Sequence, residues 1–169
     1  MFLKKSLIAA ALGFAAVGAS AQTTGNIVVS ANVIAACNIS VANLAFGNYD
    51  SLAGAPLQAS TTVSAACSQG SIPVISLGAG GNASGAQRRM NQGASFLSYD
   101  LYKPATNLPA AACAYTTSWG DGGATGTALT ATAAPSLVSR SYSVCGQIPV
   151  GQNAVVGAYT DTVVANIAF

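Results

Sequence analysis

Apolar and polar residues alternate along several stretches of the chain, which is the pattern of strands with one buried face. Between residues 25 and 33 every second position is apolar, and asparagine or serine occupies three of the four positions between them. The apolar positions of this stretch are Ile27, Val29, Ala31 and Val33. Residues 159–169 repeat the pattern, and their apolar face consists of Val163, Ala165, Ile167 and Phe169. We therefore expect an amphipathic strand in each of these two stretches.

Further strands are predicted between these two, over residues 57–67, 72–77, 95–103 and 137–148. The residues that separate the predicted strands are rich in glycine, as expected of turns. Alanine is abundant in the chain and favours helices, yet no segment keeps a 3.6-residue apolar period over several turns. Many short strands with glycine-rich turns predict an all-β, antiparallel sandwich.

Residues 1–21 have the three parts of a secretory signal peptide in the right order. Lys4 and Lys5 give a positive start, residues 6–18 are apolar, and residues 19–21 read Ala-Ser-Ala. The apolar run has about 13 residues, whereas a bilayer span needs about 20. We expect an exported protein with one mature domain, residues 22–169.

The charges of the chain exclude several kinds of partner. It has six basic and four acidic side chains and no histidine. Without Lys4 and Lys5 the basic side chains also number four, so the expected mature domain has no net side-chain charge. A nucleic-acid binder needs a basic face, and a polybasic membrane-surface protein needs a basic cluster. The lack of histidine removes the commonest general base and metal ligand, and no cofactor is implied.

Four cysteines, Cys37, Cys67, Cys113 and Cys145, lie in the expected mature domain. An even number of cysteines in an exported protein predicts two disulfide bridges. Three pairings are possible, and the residues alone prefer none. A metal site is disfavoured because the chain lacks both a Cys-x-x-Cys spacing and histidine.

Two motifs resemble binding sites. Residues 78–83 match the dinucleotide pattern G-x-G-x-x-A after a predicted strand, but residues 84–89 lack the apolar face of the helix that must follow. We interpret this stretch as a glycine-rich hairpin loop. Arg88 and Arg89 form the one basic pair of the mature domain and are expected in a solvated loop.

The carboxylates are few and far apart in sequence: Asp50, Asp100, Asp121 and Asp161. A glycosidase needs two carboxyl groups that meet across its substrate. Isolated aspartates next to glycine or tyrosine more often form turns and caps, and this interpretation is favoured here. Trp119 could offer a face on which a sugar stacks.

Short motifs in a defined order resemble the spore coat protein U domain family, which is the pilin type of archaic, Csu-like chaperone–usher pili. They extend over nearly the whole expected mature domain. The motifs are TGNIVV (24–29), CNIS (37–40), LAFGNYD (44–50), VSAAC (63–67), RM (89–90), LSYDLY (97–102), WGDG (119–122), GQIP (146–149) and GAYTDTV (157–163).

The resemblance implies an incomplete immunoglobulin-like antiparallel β-sandwich, which lacks its last strand and is completed by a donor strand. It implies a bridge between Cys37 and Cys67. Cys113 and Cys145 depart from the family pattern, and we expect them to pair with each other. Residues 22–33 would be the donor strand, with Ile27, Val29, Ala31 and Val33 as its inserted side chains. The acceptor groove would be lined by Val163, Ala165, Ile167 and Phe169.

The resemblance also implies partners. A periplasmic chaperone would lend a strand, and at an outer-membrane usher the N-terminal segment of the neighbouring pilin subunit would replace it. Because the contact is head-to-tail, it would grow a fibre. The expected function is a non-enzymatic pilin subunit of a surface fibre for adhesion and biofilm formation. Two alternatives stay open: a secreted coat protein that fills its own groove, and a carbohydrate-binding module that uses Trp119.

Overall fold

The structure is a computed structural model that describes residue 18 and residues 21–169. The expected signal peptide therefore lies almost wholly outside the described residues. All strands of the described residues lie within one unit, residues 33–169. In chain order they are β1 (Cys37–Val41), β2 (Leu57–Cys67), β3 (Val74–Leu77), β4 (Arg88–Gln92), β5 (Ser95–Pro104), β6 (Cys113–Ser118), β7 (Leu129–Thr130), β8 (Arg140–Ile148) and β9 (Ala165–Ala168).

The strands form two antiparallel sheets, and the described residues contain no helix. The larger sheet has the order β1-β2-β8-β5-β4, and β6 pairs with the end of β5. The smaller sheet has the order β7-β3-β9. Each sheet contributes its alternate residues to one apolar core, as in a sandwich. The core includes Val63, Leu101 and Tyr142 from the larger sheet and Ile75 and Leu77 from the smaller one.

The expectation of an all-β antiparallel fold is confirmed, and β2 has the predicted bounds. Strand β1 was not predicted because it has only five residues, and β4 because its sequence, RRMNQ, is mostly polar. β6 and β7 were not predicted either. Over residues 159–169 only β9 is a regular strand; the rest contacts its neighbours through single backbone hydrogen bonds. Residues 25–33 form no strand, since a strand requires a paired neighbour.

Both disulfide bridges are present. Cys37 and Cys67 are directly opposite each other on β1 and β2, with a Cα–Cα distance of 4.1 Å. Cys113 at the start of β6 is bonded to Cys145 on β8, with a Cα–Cα distance of 5.6 Å. The first bridge fixes the outermost strand of the larger sheet, and the second fixes β6 to β8.

The structure corrects one expectation about side chains and removes one alternative. Arg88 and Arg89 were expected in a solvated loop, but both lie on β4, and Arg88 is only 3% exposed. Its guanidinium donates hydrogen bonds to the carbonyl oxygens of Gly78, Leu77 and Trp119 at 2.8–3.0 Å. Trp119 has no exposed surface, and its indole N–H donates to the Ile75 carbonyl at 2.9 Å. Its ring therefore offers no face to a sugar.

Candidate functional site

The two sheets leave a gap along one side of the sandwich. β1 is the last strand of the larger sheet, and β9 is the last strand of the smaller one. Residues 159–165, here called the rim segment, lead into β9 and face β1 across the gap. Core residues of both sheets line the bottom of this gap, although they are themselves almost fully buried. The sandwich therefore has a groove at this edge in which a further strand would lie over the core.

Both sides of the groove present unpaired backbone edges. The Ala36 carbonyl and the Ala42 N–H bond to the β2 side, so the peptide groups of Ile39 and Val41 point toward the groove. On the rim segment, Thr160 exchanges two hydrogen bonds with Asn91, and the Thr162 and Val164 carbonyls accept from Gly81 and Gly78. By the same alternation, residues 161, 163 and 165 direct their peptide groups into the gap. Such edges are templates for an added strand.

The groove consists of two adjoining hollows, and the lining of the first is mainly apolar. Its deeper part has a volume of about 560 Å³, and a second hollow of about 760 Å³ adjoins it toward residues 154–159. Leu44, Phe46, Met90 and Tyr159 border both hollows. The floor of the deeper part is formed by Val63, Leu77, Tyr99, Leu101 and Val144.

Side chains around the groove are more exposed than their positions would lead one to expect. Val41 lies on the same face of β1 as the partly buried Cys37 and Ile39, yet it is 63% exposed. Tyr159, Val163 and Ala165 are only partly buried, although they pack against the core cluster. The apolar side chains that β1 and the rim segment direct toward the groove are therefore not packed against other residues as fully as an apolar face normally is.

One wall of the groove depends on a glycine. Leu44 and Phe46 lie directly over Gly146 of β8, and a Cβ at Gly146 would be 2.5 Å from Leu44 Cδ2 and 2.7 Å from Phe46 Cζ. The Phe46 ring also meets the Tyr99 ring edge-on at 6.0 Å. Further along, the Tyr49 hydroxyl donates to the Pro149 carbonyl and accepts the Gln152 N–H. Residues 44–49 are therefore a fixed wall without being a strand.

A polar cluster interrupts the apolar lining. The Asp161 carboxylate accepts the Tyr99 hydroxyl at 2.7 Å through one oxygen. Its other oxygen accepts the backbone N–H of Asn82 at 3.2 Å and the side-chain amide of Asn82 at 3.1 Å. Burial, and next the hydrogen bond to Asp161, raise the pKa of the Tyr99 hydroxyl far above its ordinary value. Asp161 thus joins the rim segment to the β3–β4 loop.

The other aspartates behave differently from Asp161. Asp50 accepts the Leu52 N–H at 2.8 Å and forms the expected turn. Asp121 accepts the Gly123 N–H and the Thr125 hydroxyl, and these bonds hold the pKa of that carboxyl below its usual range. Asp161 is not in a turn, and no sequence pattern indicates that it would reach Asn82, which is remote along the chain.

Comparisons with known proteins identify the family of this chain. The family model of the Spore Coat Protein U domain matches residues 23–166. The chain belongs to this family. It is also 36% identical to Protein U of Myxococcus xanthus over 167 residues, with 89% of this chain and 87% of the relative covered.

A solved structure is similar as well. It is the crystal structure of the CsuC–CsuE chaperone–tip adhesion subunit pre-assembly complex from archaic chaperone-usher Csu pili of Acinetobacter baumannii. The matched chain superposes with a TM-score of 0.53 at 26% sequence identity, and 81% of this chain is covered. This Spore Coat Protein U domain spans 40% of the length of that chain.

These findings show which kind of protein this is. The Spore Coat Protein U domain is related to Csu pilus subunits and is a structural family, not an enzyme family. Two disulfides, together with the likeness to a pilus subunit, indicate an extracytoplasmic protein. The part of the chain that the structure describes has no apolar helix of membrane-spanning length.

The residues expected to line the groove of the Spore Coat Protein U domain lie at different depths. Val163 and Ala165 border it. Ile167 pairs with Ile75 of β3 and is partly buried against the core. Phe169 is 56% exposed and is not part of the lining. Sequence reasoning missed the opposite wall, Leu44 and Phe46, although both alternate with small residues in the LAFGNYD motif.

The residues expected to insert as a donor strand are solvent-exposed. Ile27 is 90% exposed, and Val29 and Val33 are each 88% exposed. Ala31 is exposed as well. Apolar side chains on alternate positions of an unpaired segment are unusual unless the segment has a partner.

Proposed function

We propose that this protein is a pilin subunit that polymerises by donor-strand complementation. The observation that carries the proposal is the groove between β1 and the rim segment, which has an apolar floor and unpaired backbone on both sides. A strand inserted there would gain main-chain hydrogen bonds from both edges and would bury alternate side chains in the core. No enzymatic step is needed for this function.

The proposed occupant is residues 22–33 of a second copy. Ile27, Val29 and Val33 are large, apolar and exposed in this chain. Their two-residue spacing places them on one face of an extended segment. Nine extended residues, 25–33, span about 30 Å. Burial of each large side chain would contribute about 1.5–3 kcal/mol.

Donation between copies is supported by the geometry of residues 34–36. The N–H of Ser68, just beyond β2, donates to the Ala36 carbonyl at 2.8 Å, and the Ser68 hydroxyl contacts the Ile34 carbonyl at 3.5 Å. These bonds continue the line of β1 past the end of the sheet. A reversal at residues 33–35, which a chain filling its own groove with Val33 would need, would break the contact at Ile34. Head-to-tail donation gives an open polymer instead.

The proposed partners are a periplasmic chaperone, an outer-membrane usher and neighbouring subunits. The similar solved structure is a pre-assembly complex of a chaperone with a tip adhesion subunit. By this likeness, a chaperone would cover the groove of this chain before assembly. An apolar groove with two open edges would otherwise drive aggregation. The proposed location is a fibre at the cell surface, with adhesion and biofilm formation as its use.

Size-exclusion chromatography of the mature chain tests the proposal, with and without its cognate chaperone. We expect a soluble one-to-one complex with the chaperone, and slow growth into polymers after the chaperone is removed. Deletion of residues 22–33 should abolish polymerisation and leave chaperone binding intact. Ile27→Asp with Val29→Asp should do the same, whereas Asn26→Asp with Ser30→Asp, on the other face, should polymerise.

A mature chain that stays monomeric without a chaperone would contradict the proposal. If that monomer also lost stability when residues 22–33 were deleted, it would be a self-complemented coat protein. If the deletion changed nothing, the groove would have another use.

A further inference from the structure

We propose that Asp161 is a positioning residue of the groove: its carboxylate fixes the rim segment so that the peptide groups of residues 161 and 163 face an incoming strand. The inference rests on the proposed function, since it assigns a role within the same groove. It concerns how readily the groove accepts a strand, rather than which strand enters.

Near Asp161 the backbone of the rim segment is bonded to the rest of the domain only at alternate residues. It is not a regular strand before Ala165. Its backbone bonds to the body come only from Thr160, Thr162 and Val164. The peptide group of Asp161 faces the open gap, so its side chain supplies the attachment that its backbone does not. Three hydrogen bonds to one carboxylate, at 2.7–3.2 Å, are a strong anchor for an otherwise irregular segment.

The β3–β4 loop is shaped around this carboxylate. Gly80 has φ +91°, a conformation that disfavours every residue with a Cβ. A Cβ at Gly80 would also collide with the Asp161 carboxylate. Glycine is thus required at position 80 for its backbone conformation and for the close approach of Asp161.

The same loop is held from the opposite side by a buried cation. Arg88 donates to the carbonyls of Leu77 and Gly78 at the start of the loop. Arg88 and Asp161 are not in direct contact; the Tyr99 hydroxyl bonds to Asp161, and the Tyr99 ring packs in the core. The loop is therefore held by Arg88 on one side and by Asp161 on the other. Because Asn82 of the loop bonds to Asp161, a fixed loop also fixes the rim segment. A flexible loop would not serve as such a support.

A matched set of variants separates positioning from general stability. Asp161→Ala removes both acceptor oxygens and with them all three hydrogen bonds, and Tyr99→Phe removes one donor. Asp161→Asn keeps a carbonyl oxygen for Asn82 and an amide that can donate to the Tyr99 oxygen. Asp121→Ala is the control, because Asp121 is an exposed carboxylate with two comparable hydrogen bonds outside the groove.

Each mature variant is purified with its cognate chaperone and challenged with the donor peptide, a synthetic peptide of residues 22–35. Uptake is followed by native mass spectrometry. We expect Asp161→Ala to slow uptake by about tenfold or more. This is the effect of losing at least one hydrogen bond to a charged group. Asp161→Asn and Tyr99→Phe should show smaller losses, and Asp121→Ala none.

Hydrogen–deuterium exchange gives a second readout that does not need a donor. In Asp161→Ala, exchange should rise within residues 159–165 and in the β3–β4 loop, but not in β2 or β8. Uptake at the normal rate, or a rise in exchange through all strands, would overturn the inference. If the unsubstituted chain took up no peptide, the proposed function would fail, and the local exchange would still decide whether Asp161 fixes the rim.

Discussion

At the scale of single residues, the few charged side chains of this protein mostly organise backbone. Arg88 binds three carbonyl oxygens in the interior, and Asp161 binds an N–H, an amide and a hydroxyl at the edge of the groove. Burial lowers the pKa of the Arg88 guanidinium, and the nearby Tyr99 and acidic side chains oppose this change. Burial of the Arg88 cation is compensated by its three hydrogen bonds to carbonyl oxygens.

Replacement of Arg88 by methionine should therefore be costly. The apolar stem would be kept, but three buried carbonyl groups would lose their donor, so we expect a loss of about 3 kcal/mol of unfolding free energy. Arg89→Met is the control, since Arg89 donates only one comparable bond, to the Asn82 carbonyl, and stacks on Phe96. The measurement is urea unfolding of the mature chain saturated with the donor peptide. Equal losses in the two variants would argue against this role of Arg88.

At the scale of elements, the sequence was informative where strands alternate cleanly and uninformative where their residues are polar or short. The pattern of residues 57–67 predicted β2 because the inner face of that strand is buried along its second half. It could not predict β4, whose Arg88 is buried by hydrogen bonds instead of by apolar character. Likewise, the groove wall at Leu44 and Phe46 depends on Gly146, a contact between remote parts of the chain.

The Gly146 contact can be tested directly. In Gly146→Ala the new methyl group would press on Leu44 and Phe46, and we expect a loss of about 1–3 kcal/mol together with slower uptake of the donor peptide. Gly54→Ala is the control, because a Cβ at Gly54 meets nothing within 4 Å. Urea unfolding and native mass spectrometry provide the two readouts. A Gly146→Ala chain that unfolds and takes up peptide like the Gly54→Ala chain would show that the wall can shift freely.

The two disulfides allow the effect of a bridge on stability to be separated from its effect on the groove. Their cysteines are 30 and 32 residues apart, so the chain-entropy model gives each bridge about 3–4 kcal/mol. Only the Cys37–Cys67 bridge fixes β1, which is one side of the groove. We expect Cys37→Ala with Cys67→Ala to slow peptide uptake and to lower stability.

The Cys113→Ala, Cys145→Ala double variant should lose similar stability in urea while its rate of peptide uptake stays near that of the parent chain. Both variants are compared at a temperature at which each remains folded. If the second pair impaired uptake as strongly as the first, the effect would reflect global stability and not the position of β1.

At the scale of the whole molecule, strand directions decide how a groove can be filled. β1 runs parallel to β8 and β4, because each step β1-β2-β8-β5-β4 is antiparallel. The rim segment is antiparallel to β4 at the bridge between Asn91 and Thr160, so it is antiparallel to β1. A strand between them must be antiparallel to one and parallel to the other.

This constraint predicts the outcome of a fusion. A copy of residues 22–33 appended after Phe169 through a short glycine-rich turn would run back antiparallel to β9 and the rim segment, as in a hairpin. We expect this chain, with its own residues 22–33 deleted, to be a soluble monomer that needs no chaperone. It should not polymerise, and its unfolding midpoint in urea should lie well above that of the deleted chain alone.

The control for the fusion carries aspartate at the appended positions that correspond to Ile27 and Val29. It has the same length and the same turn, but it would bury two charges in an apolar groove. The desolvation free energy of two carboxylates exceeds what the main-chain hydrogen bonds of the strand contribute. It should aggregate or remain bound to the chaperone. If this control were as stable a monomer as the fusion, the appended strand would not occupy the groove, and the side chains of residues 22–33 would not be what fills it.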